Sequence, residues 1–356
     1  MIDFRVIQFT DPNELVKALA PYDDSFMNGA LGAVMDSIDE NQIRVRQLTP
    51  DSRKLFAVYA GDDLLYVKYT CVAHLKTDFW ASITMSKIDG ELAWCMCSPY
   101  DLPREFSDDE YSTAVSLLAS HLSTSVELKA VDNVFGSEKL VDLFVQAWAE
   151  KQASKGVKIG TPPPIFQAKG TYATLASIPP PSPAFSQYKI SPASMNDVDD
   201  LARLYIDFCT VLEHSVSIEK ARHELGQYVQ LGQIWVCRVE AEIAGYCATS
   251  RESVHTIVIR NVYVSPKHRR KGIAEAMTRA MTRYYLGAEP LGFEGAPATG
   301  PQKGVKREVC LNVAEDHIER LYKRCGFLLG QDDRDPETGK KGWHPATYRA
   351  VEVLED

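Results

Sequence analysis

The chain has 356 residues, 45% of them apolar and 24% charged, which suits a globular protein of about two domains. That mix excludes a mainly disordered, collagen-like or coiled-coil chain. The net charge is −9 and uneven: residues 1–178 hold 16 Lys and Arg against 24 Asp and Glu, residues 179–356 hold 23 against 24. An acidic chain without a basic stripe is a poor nucleic-acid binder, and no run approaches the roughly 20 apolar residues of a membrane span. The opening stretch carries Asp3 and Asp11 and no apolar leader-like core, and the eight cysteines lack paired C-x-x-C spacing. The reading is a reducing, cytoplasmic setting with no disulfide framework and no metal site.

In chain order, the first recognisable pattern is LFAVYAGDDLLYVKYT from Leu55: a strand, an acidic turn and a second strand. Trp94-Cys95-Met96-Cys97 alternates with apolar groups on both faces and reads as a buried strand rather than a redox or metal site. Ser98-Pro99 is followed by Tyr100 to Phe106, a glycine-free loop with acids running on to Glu110. Asn133-Val134 leads into a helical pattern, and Thr171 to Ile178 reads as the closing strand of this half. Proline triplets at 162–164 and 179–181 mark stiff connectors, so the division is 1–178, a linker at 179–187, and 188–356.

The second half reads as a strand opening at Tyr188, helices over Asn196–Phe208 and Ser217–Leu231, and strands at 234–239, 243–250 and 256–264. A helix starting at Gly272 follows, with Met277, Ala280, Met281 and Tyr284 as its apolar stripe. A Gly- and Pro-rich loop over 288–305, a strand Glu308–Val313, a helix Asp316–Cys325 and a strand near Thr347 complete it. The halves repeat: Leu55 against Ile234, Asn133 against Asn312 and Thr171 against Thr347 are 176 to 179 residues apart and in the same order. The fold class is α/β (α+β), two tandem units, each a mixed twisted sheet flanked by helices.

The informative segment is NVYVSPKHRRKGIAEAM, Asn261 to Met277. A strand stops at Ser265-Pro266, a short basic loop follows, and a helix starts after Gly272. A helix start presents unpaired N–H groups and the positive dipole end, a ready cradle for a pyrophosphate. Gly272 admits the anion without a Cβ in the way, Ala274 keeps the first turn slim, and Arg269, Arg270 and Lys271 add charge at the rim.

This segment resembles the GNAT superfamily of acyl-CoA-dependent N-acetyltransferases, whose signature R/Q-x-x-G-x-G/A appears as Arg269-Arg270-Lys271-Gly272-Ile273-Ala274. Val264-Ser265-Pro266-Lys267-His268-Arg269 is similar to the family's V-x-P-x-x-R, and Leu321-Tyr322-Lys323-Arg324-Cys325-Gly326-Phe327 to its L-Y-x-x-x-G-F. The resemblance covers about residues 188–354, and reaches the first half only through the repeat. It implies acetyl-CoA as co-substrate, with the pyrophosphate on Arg269 through Ala274. It also implies pantetheine contacts to backbone groups of the strand Val262-Tyr263-Val264, splayed from the next strand, and to Asn312. Tyr322 matches the tyrosine that protonates the departing thiolate. The first half, with no glycine loop, reads as a degenerate unit.

Where relatives place a carboxylate before the loop, this chain has Ile259-Arg260-Asn261-Val262, so the general base is unassigned. Glu213 and His214 are weak candidates; His255, Asp316 and His317 are others, and a water chain is an alternative. Trp343-His344 reads either as a turn aromatic pair or as part of an acceptor pocket, and Asp332 to Asp335 as a solvated loop. The implied function is transfer of an acetyl group to a small-molecule amine by a monomer or homodimer. The alternatives are a protein lysine or N-terminal acetyltransferase and a non-catalytic acyl-CoA sensor.

Overall fold

The computed structural model describes residues 4–39, 41, 53–60, 63–71, 93–100, 106–211, 215–289 and 300–354. The first half runs β1 (Phe4–Phe9), α1 (Pro12–Leu19), α2 (Asn28–Ile38), β2 (Arg53–Ala60), β3 (Asp63–Cys71), β4 (Ala93–Cys97), α3 (Asp108–Ser125), β5 (Asn133–Ser137), α4 (Glu138–Ala153), a short β6 (Ile159–Gly160) and β7 (Phe166–Ala173). The second runs β8 (Lys189–Pro192), α5 (Val198–Val211), α6 (Ile218–Gln230), β9 (Ile234–Val239), β10 (Glu242–Ser250), β11 (Thr256–Val264), α7 (Ile273–Tyr285), β12 (Glu308–Val313), α8 (Asp316–Arg324), β13 (Trp343–Ala350) and a short β14 (Glu352–Val353). Apart from the two-residue strands and short 3-10 turns, the described residues of both halves follow one order: strand, two helices, three strands, helix, strand, helix, strand.

Twelve strands form a single sheet in the order β1-β2-β3-β4-β5-β13-β7-β12-β11-β10-β9-β8. Among the described residues only β4 with β5 and β11 with β12 run parallel; the other pairs are antiparallel. By position in the repeat β7 corresponds to β13 and β5 to β12, yet β13 lies beside β5 and β7 beside β12. The halves have exchanged their closing strands. The sequence places the first half's last strand at Thr171–Ile178, whereas it spans Phe166–Ala173. Past Ala173 the backbone turns, with Thr174 N donating to Ser177 Oγ at 2.8 Å, because the prolines from Pro179 on cannot extend a ladder.

Alternation along the strands builds two layers of core. On one face, α3 and α4 cover Phe56, Trp94 and Met96, and α7 and α8 cover Cys237, Cys247 and Leu311. On the other, α1 and α2 cover Leu55, Cys95 and Cys97, and α5 and α6 cover Val236, Tyr246 and Tyr263. All seven described cysteines with placed side chains are free and buried. Among the described residues no helix is long and apolar enough to cross a membrane.

Polar contacts also join the halves. Buried Asn28 on α2 donates to Arg251 O at 2.8 Å and Thr256 Oγ1 at 2.6 Å, and Arg251 N donates to Asp36 at 3.0 Å. Gly32 permits that approach, since a Cβ there would lie 2.5 Å from Arg251 O. Lys340 binds Glu308 and stands 3.5 Å from Asp24, and Lys169 on β7 binds Glu319 on α8. Asp335, expected in a solvated loop, is buried and accepts from Thr174 Oγ1 at 2.6 Å and Thr338 N at 2.7 Å. It pins the turn after β7.

Residues 188–356 produced alone would lack β7 and leave β12 a bare edge between apolar cores. That fragment should self-associate or aggregate in size-exclusion chromatography. A stable monomer with native-like melting would show that the β7–β12 pairing is dispensable.

Candidate functional site

The site begins where the sheet splits. Parallel pairing of β11 with β12 lasts only from Thr256↔Glu308 to Val258↔Cys310. Beyond it, the edge of β11 from Ile259 to Val264 has no strand partner on that side among the described residues. On its other side β11 stays paired with β10, except that Arg260 is extra between Ile259↔Thr249 and Asn261↔Ala248. This bulge resets the alternation. Ile257 and Ile259 face the α7 side, and after the bulge so do Val262 and Val264, while Tyr263 turns to the α5 side.

After Val264 the chain makes a short turn at Pro266–His268 and enters α7. Gly272 is its N-cap, at φ 83° in the left-handed region, with no side chain capping the helix. A Cβ at 272 would meet Phe185 of the 179–187 connector at 3.2 Å. The basic residues divide their work. Lys267 is held by Glu242 at 2.5 Å, and Arg269 donates to Val264 O at 3.0 Å and lies over the Tyr263 ring. Arg270 and Lys271 are exposed. A cavity of about 330 Å³ opens here, lined by Val264, Arg269, Arg270, Gly272, Ala274 and Leu321 among others. The one carboxylate on its wall, Glu275, is neutralised by Arg279 at 2.9 Å and Arg324 at 2.8 Å. An uncapped helix start, a glycine and two free-standing cations suit an anionic group.

The corresponding helix of the first half is built the opposite way. Ser107 caps α3 in a capping box with Glu110, and Asp108, Asp109 and Glu110 fill its first turn. The Glu110 amide donates to Ser107 Oγ at 3.3 Å, and the charge of the first turn is negative. Residues 101–105 of the preceding acidic loop lie outside the described residues.

Tyr322, on α8, packs its ring edge-on to Phe327 at 5.8 Å on the same face as Val262 and Val264. Burial first, then the nearby Cys247 and Cys325, raises its pKa, so the phenol keeps its proton throughout the neutral range. Asn312 lies across the sheet from it. Asn312 Oδ1 and the His344 ring both crowd Gly170 on β7: a Cβ there would stand 3.2 Å from the first and 2.7 Å from His344 Nε2. Both line a second cavity, of about 240 Å³, between the halves, walled by α2, the end of β4 and β5, and by β7, β12 and β13.

The fold thus brings Val262, Tyr263, Val264 and Arg269 through Ala274 into one strand, turn and helix, with Tyr322 beside them and Asn312 on the far face of the split. Glu213 and His214 lie outside the described residues. His255 N donates to Asp23 at 2.9 Å, which places it at the seam between the halves, and His317 lies beside Glu315 on an exposed turn. Sequence reasoning missed Asn28 and Gly170. Neither sits in a motif, and only Gly170, alone before Thr171-Tyr172, carried a signal as a strand glycine marking close approach. Among the described residues no group of three His, Cys, Asp or Glu could hold a metal.

Residues 230–328 match the family model described as an acetyltransferase (GNAT) domain. No curated protein matches the chain. Among solved structures it is similar to a tandem GNAT protein from the clavulanic acid biosynthesis pathway, at 11% identity and TM-score 0.46, over 99% of this chain and 100% of that one. It is similar also to a GCN5-related N-acetyltransferase from Sphaerobacter thermophilus (14%, TM-score 0.46, 99% and 96%) and to a GNAT-family acetyltransferase from Colwellia psychrerythraea (10%, TM-score 0.44, 98% and 100%). Likeness at that level fixes nothing about this chain's chemistry; the domain match, which spans β9 to the turn after α8, does bear on it. Residues 230–328 are thus similar to a GNAT acetyltransferase domain, and acyl transfer is the chemistry to which that stretch points.

Proposed function

We propose that the protein transfers an acetyl group from acetyl-CoA to an amine of a small molecule. In this reading residues 188–356 form the catalytic unit, 179–187 the linker, and 1–178 a unit without a cofactor loop. The observation that carries it is the split between β11 and β12, which runs directly into the uncapped, glycine-opened start of α7.

Each residue set then has a task. Arg269 through Ala274 would hold the pyrophosphate on backbone N–H groups. The unpaired edge of β11, at Val262 and Val264, would hydrogen-bond the pantetheine amides as a neighbouring strand would. Acetyl-CoA supplies an activated acyl carbon. A β11 backbone N–H beside the split would hold the carbonyl oxygen as negative charge grows there. Tyr322, whose pKa is raised by burial, would give its proton to the departing sulfur.

Two substitutions test the assignment. Gly272→Glu puts a side chain and a negative charge into the cradle, at a backbone angle that costs a non-glycine residue about 1 kcal/mol. CoA affinity measured by calorimetry should fall at least about tenfold, with the fold retained by melting and circular dichroism. Unchanged affinity would remove the cradle from the reading.

Tyr322→Phe keeps the packing against Phe327 and removes only the hydroxyl. Turnover should fall by about 10²-fold at unchanged CoA affinity. Turnover within a factor of about two would make Tyr322 a packing residue and leave the thiolate to be protonated by water.

A further inference from the structure

We propose that the cavity between the two halves takes the acceptor as a neutral primary amine on an apolar or aromatic skeleton, and that His344 on β13 accepts the proton the amine loses on attack. This rests on the acetyltransferase reading above and supplies the base that reading lacks.

The cavity is built for such a guest. Phe26, Tyr100 and Phe135 give it aromatic walls, with Met96 and Val258 between them. None of its described lining residues is a carboxylate, so an ammonium would enter without a counter-charge, and the uncharged amine is the form it favours. Three shielded polar atoms of its lining residues have no hydrogen-bond partner among the described residues: Oδ1 of Asn28, a residue only 2% exposed, Nε of Arg251 and Nδ1 of His344. Buried polar groups are ordinarily satisfied, and unsatisfied ones on a cavity wall point to a polar guest.

His344 is also held in place. Phe26 lies against its ring at 4.5 Å, and the ring and Asn312 Oδ1 both close on Gly170, where a Cβ would stand 2.7 Å from Nε2 and 3.2 Å from Oδ1. Asn312 stands on β12 just past the last paired residue, Cys310, where the sheet opens. A thioester in the split would therefore meet Tyr322 on one face and His344 on the other.

The titratable groups around the ring favour its neutral form. Lys340 and Lys341 approach from its own segment, Arg251 comes from the end of β10, and Tyr100, Tyr111, Cys97 and Cys310 stand on the other walls. Burial first, then the two lysines, holds the His344 pKa down to about 4. The ring stays unprotonated through the range in which an ordinary histidine charges.

The step balances. The amine nitrogen bonds to the acyl carbon, the carbon–sulfur bond breaks with its pair on sulfur, and sulfur takes the Tyr322 proton. The proton released by nitrogen goes to His344 Nε2 and returns to the tyrosinate through solvent.

The test uses the full chain, acetyl-CoA and 2-phenylethylamine. The His344 resonance, assigned in 13C-histidine-labelled protein by its loss in His344→Gln, should stay neutral down to about pH 4 and shift when the amine is added, with or without CoA. His344→Gln should lower kcat/KM for the amine by about 10²-fold at unchanged CoA affinity, and imidazole should restore part of the activity of His344→Ala. Should the histidine variants fold poorly, Gly170→Ala serves instead: its Cβ would press on the His344 ring and should lower amine turnover, with CoA affinity measured alongside because Asn312 also lies within 3.2 Å of that Cβ. No shift of the His344 resonance with amine, or turnover in His344→Gln within a factor of about two of the parent, overturns the proposal. Failure of the parent chain to bind CoA would instead overturn the acetyltransferase reading, while the resonance shift still decides the cavity.

Discussion

The rest of the molecule depends on the pairing of β13 with β5 on one side and β7 on the other. It joins two half-sheets into one and carries the last strand of the chain across the seam. Thr171 on β7 locks the arrangement, its hydroxyl standing 2.9 Å from Leu328 O and 3.0 Å from Gly342 O, one on each side of the loop that leads into β13. Register then decides chemistry. Trp343 pairs with Thr171 and faces α8, so His344 pairs with Gly170 and faces the cavity. A slip of one residue would reverse both.

The split between β11 and β12 works together with this seam. A continuous sheet would separate its two faces by a wall of paired backbone. Because parallel pairing ends after three residues, a thioester seated there as proposed would be reachable from both sides. Tyr322 and the anion cradle occupy the α7 face, and Asn312, Asn28 and His344 the other. In the proposed reaction nitrogen and sulfur would meet on one acyl carbon in the split, with the proposed proton donor Tyr322 and proton acceptor His344 on opposite faces of the sheet.

Much of this was legible because it is local. Strands 234–239, 256–264 and 308–313 and the helix after Gly272 follow from periodicity and from one glycine in a basic loop, signals contained within a dozen residues. The strand exchange was not. Thr171–Ile178 and Thr347–Leu354 are copies of one pattern, and a period of two says which residues share a face, never which neighbour a strand takes. The bulge at Arg260 was equally silent, although it alone puts Val262 and Val264 on the Tyr322 side. Asn28, Gly170, Asn312 and His344 come from four separate elements, and no spacing in the sequence could have gathered them. The sequence offers Trp343-His344 either as a turn aromatic pair or as part of an acceptor pocket, and nothing in it names the partners of His344.

The first half follows the same element order among the described residues but starts α3, the helix after β4, differently. Its fourth and fifth strands are also parallel, paired from Ala93↔Asn133 to Met96↔Gly136, and they too lead to a helix start. That start is closed by the Ser107 and Glu110 capping box, a device worth about 1 kcal/mol in stability. A capped helix start cannot also offer its amides to an anion, so the two halves have taken opposite solutions at one position. What the first half keeps is structural reach. It lends β7 to the edge of β12, walls the cavity with Phe26, Tyr100 and Phe135, and sets Asn28 against the backbone of Arg251. In the proposed reading the first half holds no cofactor, and these contacts are what it contributes to the site of the second half.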